Sequence, residues 1–183
     1  MERKTFIRTG LITAAAPSLI LSDTETINRS RKPMALSTWN HGLKANEEAM
    51  KILLSQGSAL DAVEAGVNLS EADPTIQSVG LGGRPDKDGH VTLDACIMDS
   101  QGNAGSVAYL QDIKHPISVA RKVMELTDHV MLVGQGAKSF AITHGFKEEN
   151  LLTEDSQKAW LKWKKKLGEE INNNPNDNHD TIS

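Results

Sequence analysis

Few side chains in this sequence combine the residue type and the spacing that chemistry requires. The six histidines occur singly, without an HExxH motif or a paired helical spacing, so they predict no metal site. The one cysteine, Cys96, has alternating apolar neighbours and is expected to be a small buried residue. A catalytic thiol is the less favoured alternative, because nothing local would stabilise its thiolate. A single cysteine also excludes an intrachain disulfide.

Two loops match ligand-binding motifs only in part. Residues 134–139 follow an apolar run and open a helical pattern, but a phosphate-binding loop needs glycine directly before Lys-Ser, and Ala137 stands there. Asp86 and Asp88 match the start of a calcium loop, yet its closing glutamate is missing. We therefore predict a strand-to-helix turn and a tight turn, and no cofactor.

The overall composition is that of an ordinary soluble domain. The chain has 183 residues, of which 38% are hydrophobic and 24% charged, with a formal net charge of −4. This balance lacks the basic footprint of a nucleic-acid-binding protein. Lysines at 162–166 could attract an anionic partner, but acidic residues lie nearby, and a solvated helix face is the preferred interpretation.

The N-terminus has the pattern of an export signal. Basic residues, Arg3, Lys4 and Arg8, precede a mostly apolar stretch at 11–21. That stretch is shorter than the roughly 20 apolar residues of a membrane-spanning helix, so no membrane span is expected. We predict a signal over 1–22, a polar linker over 23–32, and a periplasmic or secreted protein. A buried N-terminal helix is the alternative.

From Pro33 onward, strand and helix patterns alternate. A short strand is predicted at 34–38. A first helix follows, with Ala45, Ala49, Ile52 and Leu53 at helical spacing and an end at Gly57. Ser58 is predicted to cap a second helix that stops before Pro74. Its expected buried stripe consists of Leu60, Val63, Val67 and Leu69.

The remaining elements are those of an α/β (α+β) domain. The patterns predict a strand at 91–97, a hairpin turn at 99–103, a returning strand at 105–110, a helix from Pro116 to Glu125, a short buried strand at 130–133, a helix at 137–143 and a last helix capped by Thr153 and ending near 166. About four strands are fewer than the five or six of a common sheet. The pattern thus suggests that part of a domain is absent.

Five ordered runs of residues carry a family resemblance. They are Ser37-Thr38-Trp39-Asn40, Gly80-Leu81-Gly82-Gly83-Arg84-Pro85-Asp86, Val91-Thr92-Leu93-Asp94-Ala95-Cys96-Ile97-Met98-Asp99, Pro116-Ile117-Ser118-Val119-Ala120-Arg121 and His179-Asp180-Thr181-Ile182. In this order they resemble the glycosylasparaginases, also called aspartylglucosaminidases. The Ser-Thr-Trp-Asn opening differs from the His-Gly-Gly start of the related plant-type asparaginases and isoaspartyl peptidases.

The resemblance implies the αββα four-layer sandwich of the N-terminal nucleophile hydrolases. Members are made as inactive precursors that cut themselves before a threonine, here between Asp180 and Thr181. Residues 33–180 would then be the α-subunit part, with a flexible tail at 167–180, and 181–183 the start of a β-subunit. The chain would represent only the N-terminal half, inactive by itself. The full enzyme is expected to be an (αβ)2 heterotetramer, lysosomal in a eukaryote.

The resemblance also assigns site residues. Thr181 would be the nucleophile in both steps, first on the Asp180 carbonyl and later on the side-chain amide of an asparagine carrying N-acetylglucosamine. The Asp180 carboxylate would assist the first step, and His179 belongs to the same junction. After the cut, the new α-amine, with a pKa of about 7.7–8.0, can take the hydroxyl proton. Trp39 would line the substrate pocket, although packing as a core aromatic is its alternative.

Two departures from the family pattern leave alternatives open. His41 stands where the family often has an aromatic residue, and Ser183 replaces the glycine that follows the junction. The β-subunit residues that would hold the substrate are absent from this sequence. An asparaginase or isoaspartyl peptidase of the same superfamily, or a non-catalytic fragment, are therefore the other hypotheses.

Overall fold

The structure, a computed structural model, describes residues 32–173. The expected signal, nearly all of the linker, and His179, Asp180 and Thr181 lie outside the described residues. The described elements are α1 (Gly42–Leu54), α2 (Ala59–Ala72), β1 (Thr92–Met98), β2 (Ala104–Gln111), α3 (Pro116–Leu126), β3 (Met131–Val133), α4 (Gly134–Thr143) and α5 (Glu154–Asn173). None of these helices is long and apolar enough to cross a membrane.

The three strands form one mixed sheet in the order β1-β2-β3. β1 and β2 are the antiparallel hairpin that the alternation predicted, and β3 runs parallel to β2. Asp99 shapes the hairpin turn, because its Oδ1 accepts hydrogen bonds from the backbone N–H groups of Gln101 (2.8 Å) and Asn103 (2.9 Å). The Asn103 side-chain amide, which donates to the same carboxylate, lowers the pKa of Asp99.

A bulge interrupts the hairpin near its open end. Leu93 pairs with Leu110, but Ala95 pairs with Val107, so β2 has one extra residue. Tyr109 takes the left-handed conformation there (φ 52°), and its N–H donates to Asp94 Oδ1 at 2.7 Å. The side chain of Asp94 thus satisfies the backbone group that the bulge removes from the ladder.

Helices α3 and α4 cover one face of this sheet. The buried core between them consists of Ile97, Val107, Leu110, Ile113, Ile117, Val119, Ala120, Val123, Ala137 and Ala141. Gly105 allows the close approach of α3, because a Cβ at this position would lie 2.2 Å from the carbonyl oxygen of Ala120. The helix therefore packs directly on the backbone of β2.

Helices α1 and α2 pack against each other beside this core and approach closely at Gly66, where a Cβ would lie 2.5 Å from Ala45 O. The predicted cap is confirmed, since Ser58 Oγ accepts a hydrogen bond from Asp61 N at 3.0 Å. The predicted buried stripe is wrong at Val63 and Leu69, which are about half exposed. The buried face of α2 consists instead of Ala62, Gly66, Ser70 and Glu71.

Three further expectations differ from the structure. Residues 34–37 form no strand, because no strand lies beside them to complete a ladder. The strand at 131–133 is confirmed, but Met131 and Val133 are exposed because no element of the described chain covers their face. Helix α5 continues to Asn173, well past 166. Its cap at Thr153 is confirmed, with Oγ1 accepting from Ser156 N at 3.3 Å.

Candidate functional site

Of the predicted site residues, the structure describes only Trp39. It lies in the turn that leads into α1, and the residue is 74% exposed. Within the described residues Trp39 is therefore not packed in a core, and its role in the substrate pocket stays a prediction. His179, Asp180 and Thr181 lie outside the described residues, so their roles stay predictions.

The turn that carries Trp39 is held against the first turns of α1. Ser37 packs on Gly42, where a Cβ would lie 2.2 Å from Ser37 Oγ, and Asn46 Nδ2 donates to that oxygen at 3.0 Å. Gly42 N donates to Trp39 O at 2.9 Å. The Ser-Thr-Trp-Asn motif thus has a local physical basis, since the small residues allow the turn that presents the indole to solvent.

His41 stacks beside Trp39. Their ring centroids are 6.4 Å apart and the ring planes differ by 15°. His41 precedes the first residue of α1 without a side-chain capping bond, and its Nδ1 is buried with no hydrogen-bond partner in the part of the chain that the structure describes. The two stacked rings thus lie beside one buried, unsatisfied polar atom.

The glycine motif forms a tight loop between α2 and residues before α5. Gly80 and Gly82 have positive φ angles, 55° and 80°. Leu81 N donates to Glu71 O at 2.8 Å, and Gly82 N donates to Leu151 O at 2.7 Å. A Cβ at Gly80 would lie 2.0 Å from Glu71 O, so the motif is required for backbone packing.

Glu71 is a buried charge that the sequence reasoning missed. Its side chain is enclosed, and its carboxylate accepts hydrogen bonds from Ile117 N at 3.0 Å and contacts His115 Nδ1 at 3.2 Å. Burial raises the pKa of Glu71 despite these two partners. The sequence did contain a signal for this burial. Glu71 follows Val67 by four residues, so it lies on the same face of α2 as a residue that packs against the core.

The Pro116–Arg121 motif builds the contact of α3 with the sheet and with α2. Val119 and Ala120 are fully buried. The Arg121 guanidinium contacts Asp61 at 2.7 Å and Glu64 at 2.6 Å, both on α2, and Glu125 at 2.7 Å. These carboxylates raise the pKa of Arg121. The motif is structural in the described chain.

Cys96 does not follow its prediction. It is exposed, because it lies on the sheet face opposite α3 and α4. Its neighbours on that face are Met98, Ser106, Ala108, Met131 and Val133. We call these six residues the open sheet face. Met98, Met131 and Val133 are each more than half exposed, which is unusual for apolar strand residues.

Both loops form the turns that were predicted for them. The turn at 86–90 is closed by Asp86 Oδ1, which accepts from Asp88 N and His90 N, both at 2.9 Å. Gly134, with φ 54°, joins β3 directly to α4. Over residues 32–173, no three histidine, cysteine or acidic residues are grouped as metal ligands.

A groove of about 770 Å³ lies between residues 84–87 and α5. Trp160 and Trp163 line it together with Lys162, one of the lysines in the cluster at 162–166. Lys164 Nζ lies 4.6 Å from the centroid of Trp160, and Gly89 leaves room for that ring, since a Cβ there would be 3.2 Å from it. The cluster therefore contacts aromatic rings as well as solvent.

Comparison with known proteins agrees with this framework. A family model described as Asparaginase matches residues 16–182. An N(4)-(β-N-acetylglucosaminyl)-L-asparaginase from Elizabethkingia miricola is 56% identical over 99% of this chain and 55% of its own length. The Rattus norvegicus protein of the same name is 45% identical over 72% of this chain and 38% of its own length.

Proteins named for a different activity are also similar to this chain. A plant-type L-asparaginase from Thermococcus kodakarensis is 50% identical over 62% of this chain and 37% of its own length. The chain spans about half the length, or less, of these curated relatives. Because the family match covers most of the sequence, this chain belongs to the asparaginase family of hydrolases, which have the N-terminal nucleophile hydrolase fold.

Proposed function

We propose that this chain is the N-terminal part of an amidohydrolase that cleaves the bond between N-acetylglucosamine and the side-chain amide of asparagine. The observation that carries the proposal is the 56% identity, over 99% of this chain, to a protein named for that activity. The matched family range, 16–182, includes His179, Asp180 and Thr181. The products would be aspartate and the glycosylamine.

The proposed maturation step uses Thr181 on its own peptide bond. The hydroxyl oxygen attacks the Asp180 carbonyl carbon, the C–N bond breaks, and an ester replaces the amide. Water then hydrolyses the ester, which restores the hydroxyl and leaves an α-amine on Thr181. The Asp180 carboxylate is proposed to take the hydroxyl proton, and His179 to position the junction.

The new amine is what makes Thr181 useful in turnover. A peptide nitrogen cannot accept a proton, whereas an α-amine with a pKa of about 7.7–8.0 is partly free near neutral pH. It accepts the hydroxyl proton as the oxygen attacks the substrate's side-chain amide carbon. The glycosylamine leaves with a proton, and water hydrolyses the aspartyl ester. Trp39 is proposed to line the pocket, which its exposure at the α1 turn supports.

The open sheet face supports a partner in the proposed enzyme. Methionine and valine side chains in a sheet are normally covered, and here Met98, Met131 and Val133 face solvent. We propose that a β-subunit from the same precursor packs on this face and completes the four-layer sandwich. Two such pairs would form the (αβ)2 assembly.

The experiment is expression of the complete reading frame that contains this chain, followed by intact mass measurement. We expect two fragments that meet at Asp180-Thr181, and a single uncut chain for Thr181→Ala. Thr143→Ala, which changes an exposed threonine on α4, is the matched control and should be cut normally. One uncut mass in every variant would overturn the maturation step.

A substrate panel tests the specificity. We expect the cut protein to hydrolyse N-acetylglucosaminyl-asparagine faster than asparagine or a β-aspartyl dipeptide. The opposite order would favour the second candidate, an asparaginase or isoaspartyl peptidase, which the Thermococcus kodakarensis relative supports. No hydrolysis of any of the three would favour a non-catalytic fragment.

Export is a separate proposal that rests on the basic and apolar pattern of residues 1–22. The test is fractionation of cells that express the complete frame, with N-terminal sequencing of the product. An intact N-terminus on protein retained inside the cell would contradict the proposal.

A further inference from the structure

The starting observation is the unsatisfied nitrogen of His41. Its Nδ1 is buried and has no hydrogen-bond partner among residues 32–173. Buried polar atoms in proteins are nearly always paired, because an unpaired one loses its hydration without compensation. Trp160 Nε1 is the other side-chain atom of this kind in the described chain, but it lies in the groove beside α5, away from the candidate site.

The stacking contact does not explain why this residue is a histidine. The ring of His41 lies nearly parallel to the indole of Trp39, at 6.4 Å between centroids. A phenyl ring would stack equally well and would bury no polar atom. The family often has an aromatic residue at this position, so histidine keeps the ring and adds two nitrogens. Those nitrogens need a separate role.

We propose that His41 is a specificity-determining residue whose Nδ1 hydrogen-bonds the sugar of a glycosylated asparagine that rests on Trp39. The proposal depends on the proposed function. Trp39 supplies an open apolar ring surface, and Nδ1 supplies the adjacent polar atom. Sugar hydroxyls both donate and accept, so they can pair with either neutral tautomer of the imidazole.

The surrounding turn can admit such a ligand. Trp39 is largely in solvent, and its segment is held by the backbone bond from Gly42 to Trp39 and by the packing of Ser37 on Gly42. The proposed contact requires a side-chain movement of His41 or Trp39 that brings the buried Nδ1 to a ligand on the indole. Substrates without the sugar lack the matching hydroxyl, so His41 would discriminate between glycosylated and bare asparagine.

The test compares His41→Phe with the parent in the complete, matured protein. We expect kcat/KM for N-acetylglucosaminyl-asparagine to fall by about 10- to 100-fold, mainly through KM, because a buried hydrogen bond to the substrate is lost. Hydrolysis of asparagine should change less than about twofold. The thermal midpoint should stay the same or rise, because an unpaired buried nitrogen is removed.

Two variants keep the result interpretable. His41→Asn retains a polar atom close to the position of Nδ1, so we expect it to keep part of the selectivity that His41→Phe loses. It also tests the inference if His41→Phe folds poorly. His129→Phe changes an exposed histidine and should leave both substrates unaffected. The inference would be overturned if His41→Phe lowered kcat/KM equally for both substrates. It would also be overturned if neither His41→Phe nor His41→Asn lowered kcat/KM for the glycosylated substrate.

Trp39→Ala separates this inference from the proposed function. If glycosylasparagine is hydrolysed and Trp39→Ala impairs it while His41→Phe keeps the parent selectivity, only the role of His41 is wrong. If the complete protein hydrolyses no glycosylasparagine, the proposed function has failed, and the inference fails with it.

Discussion

The carboxylate of Glu71 accepts a hydrogen bond from the backbone N–H of Ile117, 46 residues away, at 3.0 Å. Glu71 lies at the end of α2, and Ile117 is in the first turn of α3, where N–H groups lack partners within the helix. The backbone oxygen of Glu71 also accepts Leu81 N from the glycine loop. Glu71 on α2 therefore joins two of the segments that carry the family motifs, the glycine loop and the start of α3.

Removing this side chain should destabilise the fold. Glu71→Ala leaves Ile117 N unpaired in a buried position, so we expect the free energy of unfolding to fall by about 1–3 kcal/mol. Glu71→Gln keeps an acceptor and should cost less. Urea denaturation of both variants measures the difference, and Glu154→Gln, at a fully exposed glutamate, is the control. A Glu71→Ala protein as stable as the parent would contradict the assignment.

The pH dependence of stability should also involve Glu71. Burial raises its pKa in the folded protein, so the folded state binds more protons than the unfolded state between the two pKa values. Stability should therefore decline as pH rises from the ordinary glutamate range through the raised value. Glu71→Gln should flatten that decline in denaturation curves collected from pH 4 to 8. An unchanged slope would mean that other groups cause it.

Adding one methyl group at Gly105 should disrupt the packing of α3 on β2. Gly105→Ala places a Cβ 2.2 Å from Ala120 O and 2.5 Å from Met124 N, both backbone atoms, so the helix must move. We expect a loss of about 1–3 kcal/mol or more, measured as a lower thermal midpoint. Gly136→Ala in α4, with open space at its Cβ, should gain about 0.5–1 kcal/mol. Equal effects of the two substitutions would refute the close approach.

Arg121 should contribute more to stability than an ordinary surface charge. Its side chain is 20% exposed and contacts Asp61, Glu64 and Glu125, so Arg121→Met leaves three neighbouring carboxylates without their cation. We expect a loss of about 1–3 kcal/mol by urea denaturation. Lys122→Met, which removes one exposed contact at 3.7 Å, should stay within about 0.5 kcal/mol. Similar losses for both would contradict this difference.

A charged substitution on the open sheet face tests whether the proposed β-subunit covers it. In the complete protein, Val133→Lys is expected to lower the thermal midpoint and to weaken subunit assembly, because it would bury a charge under the proposed partner. Leu126→Lys changes a residue of equal exposure, 54%, at the end of α3, and should have little effect. Size-exclusion chromatography and thermal denaturation of the two variants provide the comparison. A neutral Val133→Lys would exclude the proposed partner from this face.

Local pattern alone determined most element types in this protein. The cap at Ser58, the hairpin around Asp99, the helix that begins at Pro116 and the cap at Thr153 depend on neighbours within a few residues, and the structure confirms each. The five motif runs also indicate the family from sequence alone, because their residue types and order are specific.

Only the tertiary structure decided which faces are buried. Val63 and Leu69 were expected inside and are half exposed, while Glu71 lies buried between α2 and α3. Cys96 alternates with buried residues, yet it lies on the open sheet face because helices cover only the other side. Burial depends on which elements meet across long sequence separations, and hydrophobic periodicity does not record that. The stacking of His41 on Trp39 and its unpaired nitrogen likewise became visible only in three dimensions.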